Sequence, residues 1–280
     1  MNILQLLGSV EIGLIYALVA IGVYISYRII DFPDLTVDGT FTLGAAVASS
    51  LIIANIDPLI ATLMSIFAGA LAGMVTGYLN VRWKILGLLA GILTMTALYS
   101  INLRVMGKPN ITIIEDATIF GSQSVIIVSS IVVIIFIVLL VRLFSSEFGL
   151  AVRASGINPK VSNSYGINVA TMKLFALAAS NGIVALAGAL FAQSQGFADI
   201  SMGAGTIIVG LASLIIGEAL LQPKAIITSL VACVIGSIVY RIAIALALNA
   251  NSIGLQASDL SLITALLVAV TMILPKLKHR

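Results

Sequence analysis

A chain this apolar carries few groups able to do chemistry, and its acids come first, because an ionisable side chain inside lipid is costly and therefore a functional candidate. Glu11 lies in the first apolar run, Asp31, Asp34 and Asp38 crowd the start of the second, and Glu218 lies near the end of the seventh. Such carboxylates either line a polar path or satisfy helix ends. For Asp31 and Asp34 the alternative is a loop at the water boundary, with Asp34 or Thr36 capping the second helix. For Asp38, path lining and capping both stand. Glu218 has Lys224 nearby, which points to an interfacial ion pair. Tyr16, Tyr99, Asn102, Gln193 and Gln195 are the further candidates for polar lining, and core packing or interhelical hydrogen bonding explains each as well. Hydrolytic or redox chemistry finds no comparable set. The single histidine, His279, sits in a basic tail, and the single cysteine, Cys233, sits in an apolar segment as small filler. A nucleophile and base pair, a metal site and a G-x-x-x-x-G-K phosphate loop are not in view, so the chain is expected to be no enzyme and to bind no cofactor or metal of its own.

The elements that position these residues follow from composition. Of 280 residues, 60% are hydrophobic and 9% charged, with a mean hydropathy of +1.19, far beyond an ordinary soluble domain. A bilayer core takes about 20 helical residues per span. About nine runs qualify, within a range of about eight to ten: 4–27, 36–55, 58–80, 85–103, 124–143, 170–192, 203–221, 225–247 and 257–275. They lack the alternation of barrel strands, so the expected fold is an all-α polytopic membrane protein. With no basic residue ahead of the first run, a cleaved leader is not expected. Placing the polar stretch 144–168 in the cytoplasm puts Arg28, Arg82, Lys84, Arg142, Arg153, Lys160, Lys173, Lys224, Lys276, Lys278 and Arg280 inside. Arg104, Lys108 and Arg241 then fall outside or near the outer surface. That bias sets the amino terminus outside and the carboxyl terminus in the cytoplasm.

The polar stretch reads as two short helices, Glu147 to Ala154 and Pro159 to Tyr165. Asn158 followed by Pro159 is a helix start, and Gly149, Gly156 and Gly166 punctuate the pair. Capped helices flanked by glycine suggest a surface of set shape for a soluble partner. The external loop from Arg104 to Gln123 is the second place where a partner can take hold. Gly69, Gly73 and Gly77 in the third span, and Gly87 and Gly91 in the fourth, recur at fourfold spacing and let helix backbones approach closely.

Phe32-Pro33-Asp34-Leu35-Thr36-Val37 opens the second span and Phe197-Ala198-Asp199-Ile200-Ser201-Met202 opens the seventh. The echo suggests an inverted repeat, with a path near the interface of the halves, to which Asp199 is assigned as well. The chain is then one transmembrane domain, 1–280. Residues 1–110 form the first half, 111–143 an external loop and connecting span, 144–169 a cytoplasmic coupling segment and 170–280 the second half.

The pattern Gly149-x-x-x-Arg153-Ala154-x-Gly156-x-Asn158-Pro159, followed by Tyr165-Gly166-Ile167, resembles the cytoplasmic coupling segment of permeases of ABC importers of the branched-chain amino acid and ribose type. Residues 29–49, with D-F-P-D-L-T-V-D-G-T-F-T-L-G-A-A, and 88–110, with L-A-G-I-L-T-M-T-A-L-Y-S-I-N-L-R-V-M-G-K-P-N, resemble the subgroup linked to tryptophan, tyrosine and related small solutes. The resemblance implies a permease that pairs with a second copy of itself, docks a cytoplasmic ATPase that carries ATP and Mg, and receives solute from an extracytoplasmic binding protein. It assigns the docking role to Glu147, Phe148, Gly149, Arg153, Ala154, Gly156, Asn158, Pro159, Tyr165 and Gly166. Val161 and Ser162 replace the alanines usual in the family, a departure that bears on partner choice. Membrane lipid is a partner and nucleic acid is not. The rival reading is an ion-coupled secondary transporter, which also uses inverted repeats and intramembrane carboxylates. Here the acids cluster toward span ends, and the cytoplasmic segment speaks for an ATPase.

Overall fold

The computed structural model describes residues 3–114, 117–121, 123–248 and 269. Its elements run α1 (Ile3–Val23), continued by a π-helical turn (Tyr24–Ile29), α2 (Thr36–Ile53), α3 (Pro58–Trp83), α4 (Gly87–Met106), β1 (Asn110–Thr112), α5 (Val125–Ser145), α6 (Glu147–Ile157), α7 (Pro159–Ser164), α8 (Val169–Gln195), β2 (Phe197–Asp199), α9 (Thr206–Leu221) and α10 (Ile226–Leu248). Seven helices among the described residues are long and apolar enough to cross a membrane. They match seven of the expected spans to within a few residues. The span expected over 203–221 is an apolar helix of 16 residues that begins only at Thr206. At 1.5 Å per residue it reaches about 24 Å, short of a bilayer core of about 30 Å. The span expected over 257–275 lies outside the described residues.

α8 is the most enclosed of these helices and the bundle forms around it. Small residues run through its buried surface, among them Ala176, Ser180, Gly182, Ala185 and Gly188, between Leu177, Ile183, Leu186 and Leu190. Without a hydrophobic driving force in lipid, close backbone approach supplies the packing. Gly73 of α3 and Gly44 of α2 face the carbonyls of Leu177 and Ala185, and Gly188 faces the carbonyl of Phe41. Gly69 and Gly77 extend the α3 seam to Asn181 and Leu174, whereas Gly87 and Gly91 of α4 meet Phe32 and Leu35 in the loop before α2. The fourfold glycine spacing therefore does close packing, but α4 spends it on a loop instead of a helix.

α3 packs along α8 as α10 packs along α1, and α2 packs on α3 as α9 packs on α10. This is the pattern that exchange of α1–α3 with α8–α10 would generate. The two echoed segments also make the same turn. Thr36 N donates to Asp34 Oδ1 at 2.9 Å, and Ser201 N donates to Asp199 Oδ1 at 2.8 Å.

The outer faces of α3 and α5 expose Leu63, Phe67, Leu71, Ile131, Ile134 and Val138, as suits helices against lipid. α3 starts at Asp57, whose Oδ1 accepts from Leu59 N at 2.8 Å, and ends at Trp83, 67% exposed. Glu218 does form an ion pair, but not with the neighbouring Lys224. Arg28 grips it with Nε and Nη2, each at 2.8 Å, joining the end of α1 to the end of α9. The loop after α4 folds back on the end of α8: β1 pairs antiparallel with β2, with Asn110 opposite Asp199, and Ile119 N donates to Gln193 Oε1 at 2.9 Å.

Candidate functional site

The polar stretch between α5 and α8 folds as its local signals dictate. Ser146 caps α6 by accepting from Gly149 N at 3.2 Å, and Asn158 caps α7 by accepting from Val161 N at 3.1 Å, with Pro159 in the first turn. Gly166 takes a φ of 81° just beyond α7, a conformation that suits glycine. Gly149 and Gly156 have a second task. A Cβ on Gly149 would strike the Leu143 carbonyl, and one on Gly156 would strike the Ile29 carbonyl. α6 thus lies backbone to backbone on the end of α5 and on the π-helical turn that closes α1. Phe148, still 38% exposed, packs edge-on to Phe175 of α8 at 4.7 Å between ring centres. Arg153 and Ala154 are half-buried, Glu147 is exposed, and Tyr165 is 82% exposed beside exposed Ile157 and Val161. An apolar, water-facing rim is left on a segment whose other side is firmly seated.

The path candidates separate into three groups. Asp38, Tyr99 and Asn102 come together in a cavity of about 460 Å³ between α2, α4 and the turn at 200–204, with Gly39, Thr42, Met95, Thr96, Ile200, Ser201 and Ala204. Asp38 lines this cavity and also caps a helix, although that helix is α9 and not α2. Its Oδ2 accepts from Gly205 N at 3.0 Å and its Oδ1 from Ile207 N at 2.8 Å. These are N–H groups that α9 leaves without a helical partner, at the positive end of the helix dipole. Thr42 Oγ1, one turn on, accepts from Gly203 N at 3.1 Å. The starts of α2 and α9 are thereby tied together.

Gln193 and Gln195 belong to a second cavity, of about 570 Å³, beneath the loop that follows β1, with Ile113, Thr118 and Ser194. Gln193 also donates to Thr62 Oγ1 at 2.8 Å. Asp199 lies close by, where the Ser201 hydroxyl and N–H hold its carboxyl below the usual aspartate range.

Asp34 and Tyr16 line neither of these cavities. Asp34, 2% exposed, holds the loop before α2 in place. Besides Thr36 N it accepts from Asn181 Nδ2 at 2.6 Å, while Thr40 Oγ1 lies 2.7 Å from Asn181 Oδ1 and Thr36 Oγ1 lies 2.7 Å from Thr76 Oγ1. Tyr16 is buried against Phe41 and Phe191, with the Arg241 guanidinium carbon 4.0 Å from its ring centre. Arg241 thus lies within α10, inside the span expected over 225–247. Glu11 is half-buried on α1. Thr96, Ser201 and Asn181 are the polar residues that sequence reasoning passed over. The lone asparagine in the apolar 170–192 run was the visible signal.

The model of the family "Branched-chain amino acid transport system / permease component" matches residues 5–274. A tyrosine transport system permease protein of Clostridioides difficile is 42% identical over 257 residues, covering 91% of this chain and 86% of the relative. An uncharacterised protein of Rickettsia prowazekii is 35% identical over 279 residues, 97% of each chain. A ribose import permease protein of Haemophilus influenzae is 26% identical over 224 residues, 77% of this chain and 68% of the relative. No solved structure matches the chain. Seven membrane-length helices among the described residues, with α8 the most enclosed of them, a seated polar segment between α5 and α8, and these similarities together place the chain in the family of permease components of branched-chain amino acid transport systems.

Proposed function

We propose that the chain is the membrane-spanning subunit of an ABC importer that moves a small organic solute, an amino acid such as tryptophan or tyrosine, into the cell with ATP hydrolysed on a separate subunit. The observation that carries this reading is the seat of α6. Gly156 lies on the Ile29 carbonyl and the Ile30 backbone, directly before the loop that Asp34 and Asn181 hold. A partner pressing on the exposed Ile157, Val161 and Tyr165 rim therefore pushes on backbone that leads into α2, with no soft side chain between to absorb the movement. The remaining docking residues, Glu147, Phe148, Gly149, Arg153, Ala154, Asn158, Pro159 and Gly166, shape and seat this lever. The tyrosine transport permease of C. difficile supports the substrate class.

The cavity holding Asp38, Tyr99 and Asn102 is our candidate for the path. Its polar lining is costly against acyl chains, so we place a second copy of the chain, and water, on that face. Solute would arrive from an extracytoplasmic binding protein seated over the outer loop, with the amino terminus outside and the carboxyl terminus in the cytoplasm.

Co-purification of the ATPase from the native membrane, combined with labelled tyrosine uptake in vesicles, tests the reading. A stoichiometric ATPase that is lost from Arg153→Glu or Tyr165→Ala, together with uptake that stops without ATP, is the expected result. A chain recovered alone, whose uptake survives ATP depletion and stops when ion gradients collapse, makes it a secondary carrier instead.

A further inference from the structure

We propose that the cavity between α2, α4 and the 200–204 turn recognises the protonated amine of the transported solute, with Asn102 Oδ1 and the Asp38 carboxylate as acceptors. The assignment rests on the permease reading above and adds to it which end of the solute the membrane subunit holds.

Asn102 is 1% exposed. Its Nδ2 donates to the Gly39 carbonyl at 3.1 Å, while its Oδ1 is buried without a hydrogen-bond partner. Flipping the amide would set Oδ1 against that carbonyl, acceptor to acceptor, so hydrogen bonding fixes the orientation. A buried acceptor left empty is costly and calls for a donor.

Three of the hydroxyls around it, those of Thr42, Thr96 and Ser201, have spent their protons. Thr42 Oγ1 donates to the Asp38 carbonyl, Thr96 Oγ1 to the carbonyls of Ile92 and Leu93, and Ser201 Oγ to Asp199 Oδ1. The two Asp38 oxygens each take one backbone N–H and keep further acceptor capacity. No basic side chain is among the described lining residues. Acceptors that include a carboxylate, set in an otherwise mostly apolar lining, attract an ammonium group and repel a carboxylate. The Tyr99 ring and Met95 supply an apolar, polarisable side for the rest of the solute. The volume of about 460 Å³ suits a molecule of amino-acid size.

Asp38 gives this site a reach beyond binding. An ammonium drawn to its carboxylate competes with the Gly205 and Ile207 N–H groups that start α9, so occupancy is felt at the joint between α2 and α9.

The test is equilibrium binding of two radiolabelled probes to the full chain in nanodiscs, with ATPase co-purification read on the same samples. Tyramine carries the amine and no carboxylate, and 3-(4-hydroxyphenyl)propionate carries the carboxylate and no amine. Saturable tyramine binding is expected, with the propionate weaker by about tenfold or more. Asn102→Leu should weaken tyramine by about tenfold or more. Tyr99→Leu, on an exposed wall where folding is not at stake, should weaken it severalfold. Equal binding of the two probes, no saturable tyramine binding, or wild-type tyramine binding by Tyr99→Leu together with any folded Asn102→Leu overturns the amine site. A chain that keeps its ATPase but shows no amine preference loses the site alone. A chain that binds tyramine as expected but never holds an ATPase supports the site and overturns the importer reading.

Discussion

Asn181 ties together much of the buried polar structure, because its one amide serves Asp34 through Nδ2 and accepts from Thr40 through Oδ1. Removing it leaves a buried carboxylate oxygen without its donor. Asn181→Ala should therefore destabilise the protein by about 2 kcal/mol or more, read as a lowered unfolding temperature in detergent. An unchanged midpoint would mean that water replaces the amide. Asp199 makes a prediction of the opposite kind, in pH. Its carboxyl is held below 3.8 by the Ser201 hydroxyl and N–H. The folded state thus binds this proton more weakly than the unfolded chain does. The stabilisation is present in full above the ordinary aspartate range and is lost as pH falls below it. Protection of the β1–β2 loop from an acid-tolerant protease should fall on acidification in the wild type, and Asp199→Asn should flatten that dependence.

At the scale of elements, legibility tracked how local the cause was. The two short helices at 147–165 were readable because the Asn158 cap, the Pro159 first turn and the Gly166 stop all lie within a few residues of the backbone they govern. The long apolar runs were readable because a bilayer demands length. The start of α9 was not. It lies at Thr206 because Asp38, 167 residues away, takes the Gly205 N–H, a fact that exists only once α2 and α9 have met. The Glu218 partner failed for the same reason, since Lys224 is near in sequence and Arg28 near in space. Tyr99 and Asn102 are visible in the sequence as polar residues of an apolar run, and the turn that closes their cavity comes from the other half of the chain. Glycine seams give this scale its own prediction. Gly73→Leu would drive a side chain into the Leu177 carbonyl of α8. Overpacking of this kind costs about 1–3 kcal/mol, and more where backbone cannot yield. The variant should express poorly and elute as aggregate on size exclusion, whereas Gly8→Leu, which meets nothing within 4 Å, should behave as wild type.

For the whole molecule, the decisive variable is which end faces the cytoplasm. In a Cys233→Ala background, single cysteines at Thr118 and Asn163 probe the two ends. An impermeant maleimide should label position 118 in intact cells and position 163 only after permeabilisation. The reverse pattern would invert the protein and remove the ATPase from reach of α6 and α7. One exposed side chain at the end of α3 extends what can be seen at this scale. Trp83 is the single tryptophan of the chain and stands between Arg82 and Lys84, where an indole settles at the headgroup level. Native emission is therefore dominated by one fluorophore at one depth. Its quenching by lipids brominated at successive acyl positions reads how far this end of α3 rises or sinks in the bilayer, without any label.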